Sequence, residues 1–76
     1  MTKRKTTTSG AGKILASNMR RRRQQLDMSQ VKMATASGMN RKTVRSIESE
    51  EHTPRLDKIE AIASALCTTP WELLRP

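Results

Sequence analysis

Aromatic side chains are nearly missing from this chain of 76 residues: there is no Phe, no Tyr, and Trp71 stands alone. Sheet-built cores draw on aromatic and β-branched residues, so an interior limited to Leu, Ile, Val, Met and Ala points to packed helices. Cysteine is equally scarce. Cys67 has no second thiol to pair with, which excludes an intrachain disulfide, fits a reducing compartment and makes it a candidate small buried residue at a helix end. His52 is the only histidine, and neither a metal-ligand cluster, a Gly-rich phosphate loop nor a paired-carboxylate constellation occurs. At this length a large catalytic cleft has no room to form, so the expectations are no enzyme, no metal and no cofactor. No apolar run approaches the roughly 18 residues that span a bilayer, no segment joins a basic face to a long apolar one, and no apolar stretch follows the basic residues near the N-terminus. Neither membrane binding nor secretion is indicated, and the expected location is cytoplasmic.

Acidic residues are also few. Seven Asp or Glu face 15 Lys or Arg, for a formal net charge of +8. Such a surplus on so small a body implies a polyanionic partner, and with lipid disfavoured that partner is nucleic acid.

Residues 1–12 are polar, rich in Thr, Lys and Gly, and carry too little apolar surface to order themselves, so a flexible basic arm is expected before a domain over 13–76. Within the arm, Lys3, Arg4 and Lys5 either wrap onto phosphate or enter a minor groove, or add only diffuse attraction. From Lys13 to Leu26 the apolar positions Leu15, Met19 and Leu26 recur at helical spacing, with Ala16 and the stems of Arg22 and Arg23 between them. Arg20 to Arg23 fall in the last two turns of this first helix. They either complement the negative end of its dipole or reach DNA phosphates, and the overall charge favours the second role.

The stretch from Met28 to Glu48 carries the most information. Ser29 is a good N-cap, Gly38 can leave a helix with φ > 0, and Asn40 can cap another, so two short helices broken by a tight turn are predicted: a helix-turn-helix. The second helix, 30–37, is expected to bury Val31, Met33, Ala34 and in part Ser37. The third, 41–49, would bury Val44 and Ile47. At about 100° per residue, that leaves Lys42, Arg45, Ser46 and Ser49 outward and Arg41 on the flank. Such a donor-rich face suits the major groove, where Arg and Lys donate to guanine O6 and N7 and Ser pairs with several base edges. Arg41, Lys42, Arg45 and Ser46 are therefore the candidates for base contact, with Asn40 and Thr43 nearer the sugar-phosphate edge. Gln30, at the start of the second helix, is placed for a phosphate held by free N–H groups.

A fourth helix is predicted to bury Leu56, Ile59, Ile62, Ala63 and Leu66, with Asp57 in its first turn. Thr69-Pro70-Trp71-Glu72 supplies a cap, a first-turn proline and a third-position acid, so a short fifth helix runs through Leu74. The expected fold class is all-α, a five-helix bundle containing the helix-turn-helix.

From about Leu15 to Leu74 the chain resembles the DNA-binding domain of the lambda-like phage repressor and Cro family, the XRE-type helix-turn-helix family. Met28-Ser29-Gln30, Ala34, Gly38, Val44, Ile47-Glu48, Pro54, Leu56, Ile59, Ile62-Ala63, Ala65-Leu66 and Glu72-Leu73-Leu74 carry the likeness without a gap. The resemblance implies a compact lambda-repressor-like fold, Gln30 as a phosphate contact, and Arg41, Lys42 and Ser46 at base-reading positions. It further implies an internal ion pair between Arg23 and Glu48, which would make Arg23 structural rather than a DNA ligand. Glu50 and Cys67 stand where the family often has Gly, and Arg55 where it usually has a small polar cap.

Members of this class bind paired half-sites roughly 34 Å apart as symmetric dimers. With no second domain following in this sequence, dimerisation is expected from the domain itself. Trp71, together with Leu74, Arg75 and Pro76, either makes that two-fold contact or closes the core. The expected function is a sequence-specific, Cro-like transcriptional repressor, bacterial or phage-encoded, that binds double-stranded DNA at a palindromic operator. The alternatives are an antitoxin-type autorepressor that also binds a protein toxin, and an activator of a phage or restriction operon that touches polymerase.

Overall fold

Side-chain caps start three of the helices in this small chain, and left-handed turns end four of them. The computed structural model describes residues 10–76. Five helices follow in order: α1 Gly10–Gln25, α2 Gln30–Ser37, α3 Arg41–Glu48, α4 Leu56–Ala65 and α5 Pro70–Leu73. Ser29 Oγ accepts from Lys32 N (3.0 Å), Asn40 Oδ1 from Thr43 N (2.8 Å) and Thr69 Oγ1 from Glu72 N (3.2 Å), so α2, α3 and α5 each start on a satisfied cap. Arg55 precedes α4 without any side-chain cap, as its departure from the family pattern foreshadows.

The C-termini of α1 to α4 share one device. In each, an N–H just beyond the helix reaches back five residues, from Met28 to Arg23 O, Met39 to Ala34 O, Glu51 to Ser46 O and Thr68 to Ala63 O, at 2.9–3.0 Å. This is the Schellman closure, and it requires a left-handed residue one step earlier. Gly38 fills that role after α2 at φ 74, but Asp27, Glu50 and Cys67 fill it elsewhere at φ 52, 67 and 57. Non-glycine residues pay about 1–2 kcal/mol for that backbone, so three of these turns hold stored strain. Met28 and Met39 also pack against the core, the apolar contact that accompanies this closure.

α2 packs on α3 and α4, α1 on α3 and α5, and α4 on α5. Between them lies one interior filled by Leu15, Met19, Met33, Val44, Ile47, Ile62, Leu66 and Leu73. Burying each such side chain contributes about 1.5–3 kcal/mol. Val44 and Ile47, both on α3, are among its best-buried members at 0% and 1% exposure, and this packing fixes the rotation of α3 about its own axis.

Several expectations need correction. Helix α1 begins at Gly10, three residues before the predicted start at Lys13, so the arm expected over 1–12 overlaps its first turn. Lys3, Arg4 and Lys5 lie outside the described residues. Leu26 falls past the end of α1, in the turn, and is exposed. Val31 is 56% exposed rather than buried: it lies about 160° around α2 from Met33, whereas Gln30 lies about 60° away and is half-buried in its place. Leu56 is 64% exposed because it opens α4, a turn beyond Ile59 where the core ends. Cys67 is exposed too, since the left-handed turn after α4 directs it away from the interior. Helix α3 closes at Glu48 with Ser49 as its C-cap, and α5 at Leu73 with Leu74 as its C-cap.

Candidate nucleic-acid interface

With Val44 and Ile47 locked inward, the remaining residues of α3 have no freedom to choose their side. Arg41, Lys42 and Arg45 are exposed and together line one open groove on the outer face of the helix. Thr43 and Ser46 are half-buried on the flank. Lys42, Thr43 and Ser46 line a second, adjoining groove with His52 from the segment after α3. Among the described residues, neither a carboxylate nor a hydrogen-bond acceptor partners Arg41, Lys42 or Arg45. Three cations thus point outward from one helix with their donors unspent.

Helix polarity adds to this charge. Neither α2 nor α3 has an acidic residue in its first turn, so the positive end of each dipole is uncompensated. Asn40 spends its side-chain carbonyl on the cap of α3, which leaves its Nδ2 group as a donor at the helix start. Gln30 opens α2 half-buried, with Nε2 donating to Glu48 Oε1 at 3.2 Å.

The four consecutive arginines of α1 behave differently from the reading that sent them to phosphate. Arg23 Nε donates to Glu48 Oε2 at 2.7 Å and Arg23 Nη2 to Glu48 Oε1 at 3.1 Å, while Arg23 Nη1 donates to Met28 O at 2.8 Å. Glu48 is only 3% exposed and is the buried charge among the described residues. Arg20 Nη1 donates to the backbone carbonyl of the same Glu48. Arg22 closes the far end of α4, with Nε on Leu66 O at 2.9 Å and Nη2 on Cys67 O at 3.2 Å. Arg21 alone of the four is exposed, bonded to Asn18 within α1.

Asn18 also reaches across to α5, with Nδ2 donating to Leu73 O and Arg75 O at 2.8 Å each. Neither its role nor that of Arg22 was predicted, because the partners lie 44 to 57 residues away. One signal was present. Arg22 and Arg23 follow Met19 at three and four residues and so continue its buried stripe, and an arginine on a buried stripe needs an internal acceptor.

Trp71 is 74% exposed on α5, whereas Leu74 is half-buried against the core. Among the described residues no group of three His, Cys, Asp or Glu side chains is arranged to hold a metal ion, and no helix is long and apolar enough to cross a membrane.

The family described as helix-turn-helix matches residues 19–70, a span that runs from the middle of α1 to the first residue of α5. A hypothetical transcription factor, NHTF from Neisseria, is similar in structure with a TM-score of 0.84 and 33% identity, over 87% of this chain and 74% of that one. The Fe(II) form of HppE gives a TM-score of 0.79 at 28% identity, over 87% of this chain and 35% of its own. The hydroxypropylphosphonic acid epoxidase from S. wedmorenis gives 0.75 at 29% identity, over 93% of this chain and 37% of its own. This chain spans little more than a third of the chain in each of those two structures, so the likeness concerns only part of each. No curated protein matches the sequence significantly. Capped helices on either side of a left-handed glycine, an outward cationic face and the match over 19–70 agree: the chain belongs to the XRE-type helix-turn-helix family of DNA-binding domains.

Proposed function

We propose that this protein is a sequence-specific transcriptional repressor of the Cro-like kind, which occupies a palindromic operator as a homodimer. The observation that carries the reading is the outer face of α3, where Arg41, Lys42 and Arg45 share one groove with no partner among the described residues. In the major groove these side chains donate to guanine O6 and N7, and Ser46 pairs with a base edge on the flank. Asn40, Thr43 and Gln30 meet the sugar-phosphate backbone at the positive ends of α3 and α2. Lys3, Arg4 and Lys5 add phosphate or minor-groove contacts from the N-terminal side. The similarity to a hypothetical transcription factor supports regulation as the outcome of binding.

One recognition helix reads too few base pairs to define a site, so two copies bind half-sites about one helical turn apart. Trp71 offers an exposed aromatic surface for the two-fold contact, with Leu74 at its inner edge.

Selection of bound duplexes from a random pool tests the reading. A palindromic consensus is the expected result, and a pool with no enriched sequence overturns sequence-specific binding. Binding to the selected duplex at several salt concentrations then counts phosphate contacts, at a log-log slope of about −0.9 per contact. Removing Lys3, Arg4 and Lys5 should flatten that slope while leaving the consensus unchanged; a consensus altered at particular base pairs would show that the arm reads sequence.

A further inference from the structure

The start of α2 and the end of α3 meet at a single buried carboxylate. Glu48 Oε1 accepts from both Arg23 Nη2 and Gln30 Nε2, at 3.1 and 3.2 Å, while Oε2 is taken by Arg23 Nε. A carboxylate facing a guanidinium only accepts, so it dictates which end of the Gln30 amide turns inward. The amide oxygen would be repelled by Glu48, and the NH2 group is drawn to it. A terminal amide has two N–H bonds, and Glu48 takes one. The other, on a half-buried side chain at the first residue of α2, is left for an outside acceptor.

Its surroundings all have the same polarity. Ser29 Oγ is committed to Lys32 N, the backbone N–H groups opening a helix have no intrahelical acceptor, and the first turn of α2 contains no acid. We propose that Glu48 is a positioning residue for DNA contact: it locks the Gln30 amide with a donor outward, so that the start of α2 offers donors alone and takes one backbone phosphate. This rests on the DNA-binding reading above. Because Glu48 is the last residue of α3 and is held to α1 through Arg23 and Arg20, phosphate capture at α2 is tied to the placement of the reading helix.

The experiment uses the full chain and the duplex recovered by selection. Dissociation constants are measured for the wild type, Gln30→Ala, Glu48→Gln and the double variant, on the intact duplex and on duplexes with one methylphosphonate at each backbone position in turn. Glu48→Gln keeps the shape but can donate as well as accept, so it frees the Gln30 amide to turn over. Gln30→Ala should weaken binding about tenfold in the wild-type background, the worth of a hydrogen bond to a charged group, and less than about threefold in the Glu48→Gln background. One neutralised phosphate should penalise the wild type and leave Gln30→Ala unaffected. Equal penalties for Gln30→Ala in both backgrounds, or no phosphate whose neutralisation is masked by Gln30→Ala, overturn the proposal.

A second measurement needs no variant at Glu48. The two Gln30 side-chain amide protons of the wild type are followed by NMR as the duplex is added, and one should shift while its partner, already bonded to Glu48, moves little. Silence of both overturns the proposal even if binding is tight. Failure to recover any duplex defeats the DNA-binding reading itself and this inference with it, whereas tight binding with additive penalties defeats the inference alone.

Discussion

Arg20, Arg22 and Arg23 on α1 and Arg41, Lys42 and Arg45 on α3 are the same kind of side chain on the same kind of element, yet they have opposite roles. The α1 set is turned inward and consumed: Arg23 by Glu48, Arg20 by the carbonyl of Glu48, Arg22 by the carbonyls that end α4. The α3 set is turned outward and has no partner among the described residues. A count of basic residues treats all six alike. What separates them is whether an acceptor waits on the facing element, and that depends on how α1, α3 and α4 pack. The net charge of +8 therefore overstates the charge left free on the surface, since part of it is structural.

The strongest way to break this contrast is to orphan one partner of the inward set. Glu48→Ala should destabilise by up to about 3–5 kcal/mol, because it takes the carboxylate from a largely buried Arg23 guanidinium and leaves it only the carbonyl of Met28. Thermal unfolding would register that as a fall of well over 10 °C, at about 4–8 °C per kcal/mol for a domain of this size. Replacing both partners with apolar residues, Arg23→Met with Glu48→Leu, should recover much of the loss, since the desolvation cost goes with the charges. An unchanged melting point for Glu48→Ala would remove the pair from any structural role.

Next in size are the outward cations. Arg41→Ala or Lys42→Ala should cost about 1–3 kcal/mol in binding to the selected duplex and relax base preference at one position of each half-site, while stability stays within about 0.5 kcal/mol of the wild type. The two sets thus predict inverse signatures, one in melting and one in binding. A cation of α3 whose loss lowers the melting point as much as Glu48→Ala would merge them.

Arg22→Ala sharpens the comparison at intermediate scale. It removes two charge-assisted hydrogen bonds to the carbonyls of Leu66 and Cys67 and should destabilise by about 1.5–3 kcal/mol, with DNA affinity unaltered once the protein is folded. If affinity falls and stability does not, Arg22 belongs with the outward set. The smallest effect concerns the left-handed turns beside these residues. Cys67→Gly and Glu50→Gly each relieve a positive φ, and each should stabilise by about 0.5–1 kcal/mol after the added freedom of glycine in the unfolded chain is subtracted. Chemical denaturation at equal slope would measure the gain.

Much of the fold was legible in local chemistry. Ser29, Asn40 and Thr69 mark helix starts through hydrogen bonds closed within three residues, and Gly38 marks a turn through its own backbone freedom. Val44 and Ile47 fixed the inward face of α3 by spacing alone, and the outward positions followed. Errors collected at the ends of patterns. Val31 and Leu56 are apolar and near a buried stripe, but one is turned out by helical phase and the other extends past the core, and neither spacing nor hydropathy says where a core stops.

The sequence by itself determined the helical class, the boundaries of α2, the start of α3 and the cationic outer face of α3, because these depend on residues no more than a turn or two apart and on the 3.6-residue period. Only the tertiary structure decided that Gln30 meets Glu48, that Arg22 and Asn18 close helices 44 to 57 residues away, and that Trp71 remains uncovered. The reason is that an acceptor's chemistry can be read in the chain, but its distance from a donor on another helix exists only once the helices have packed.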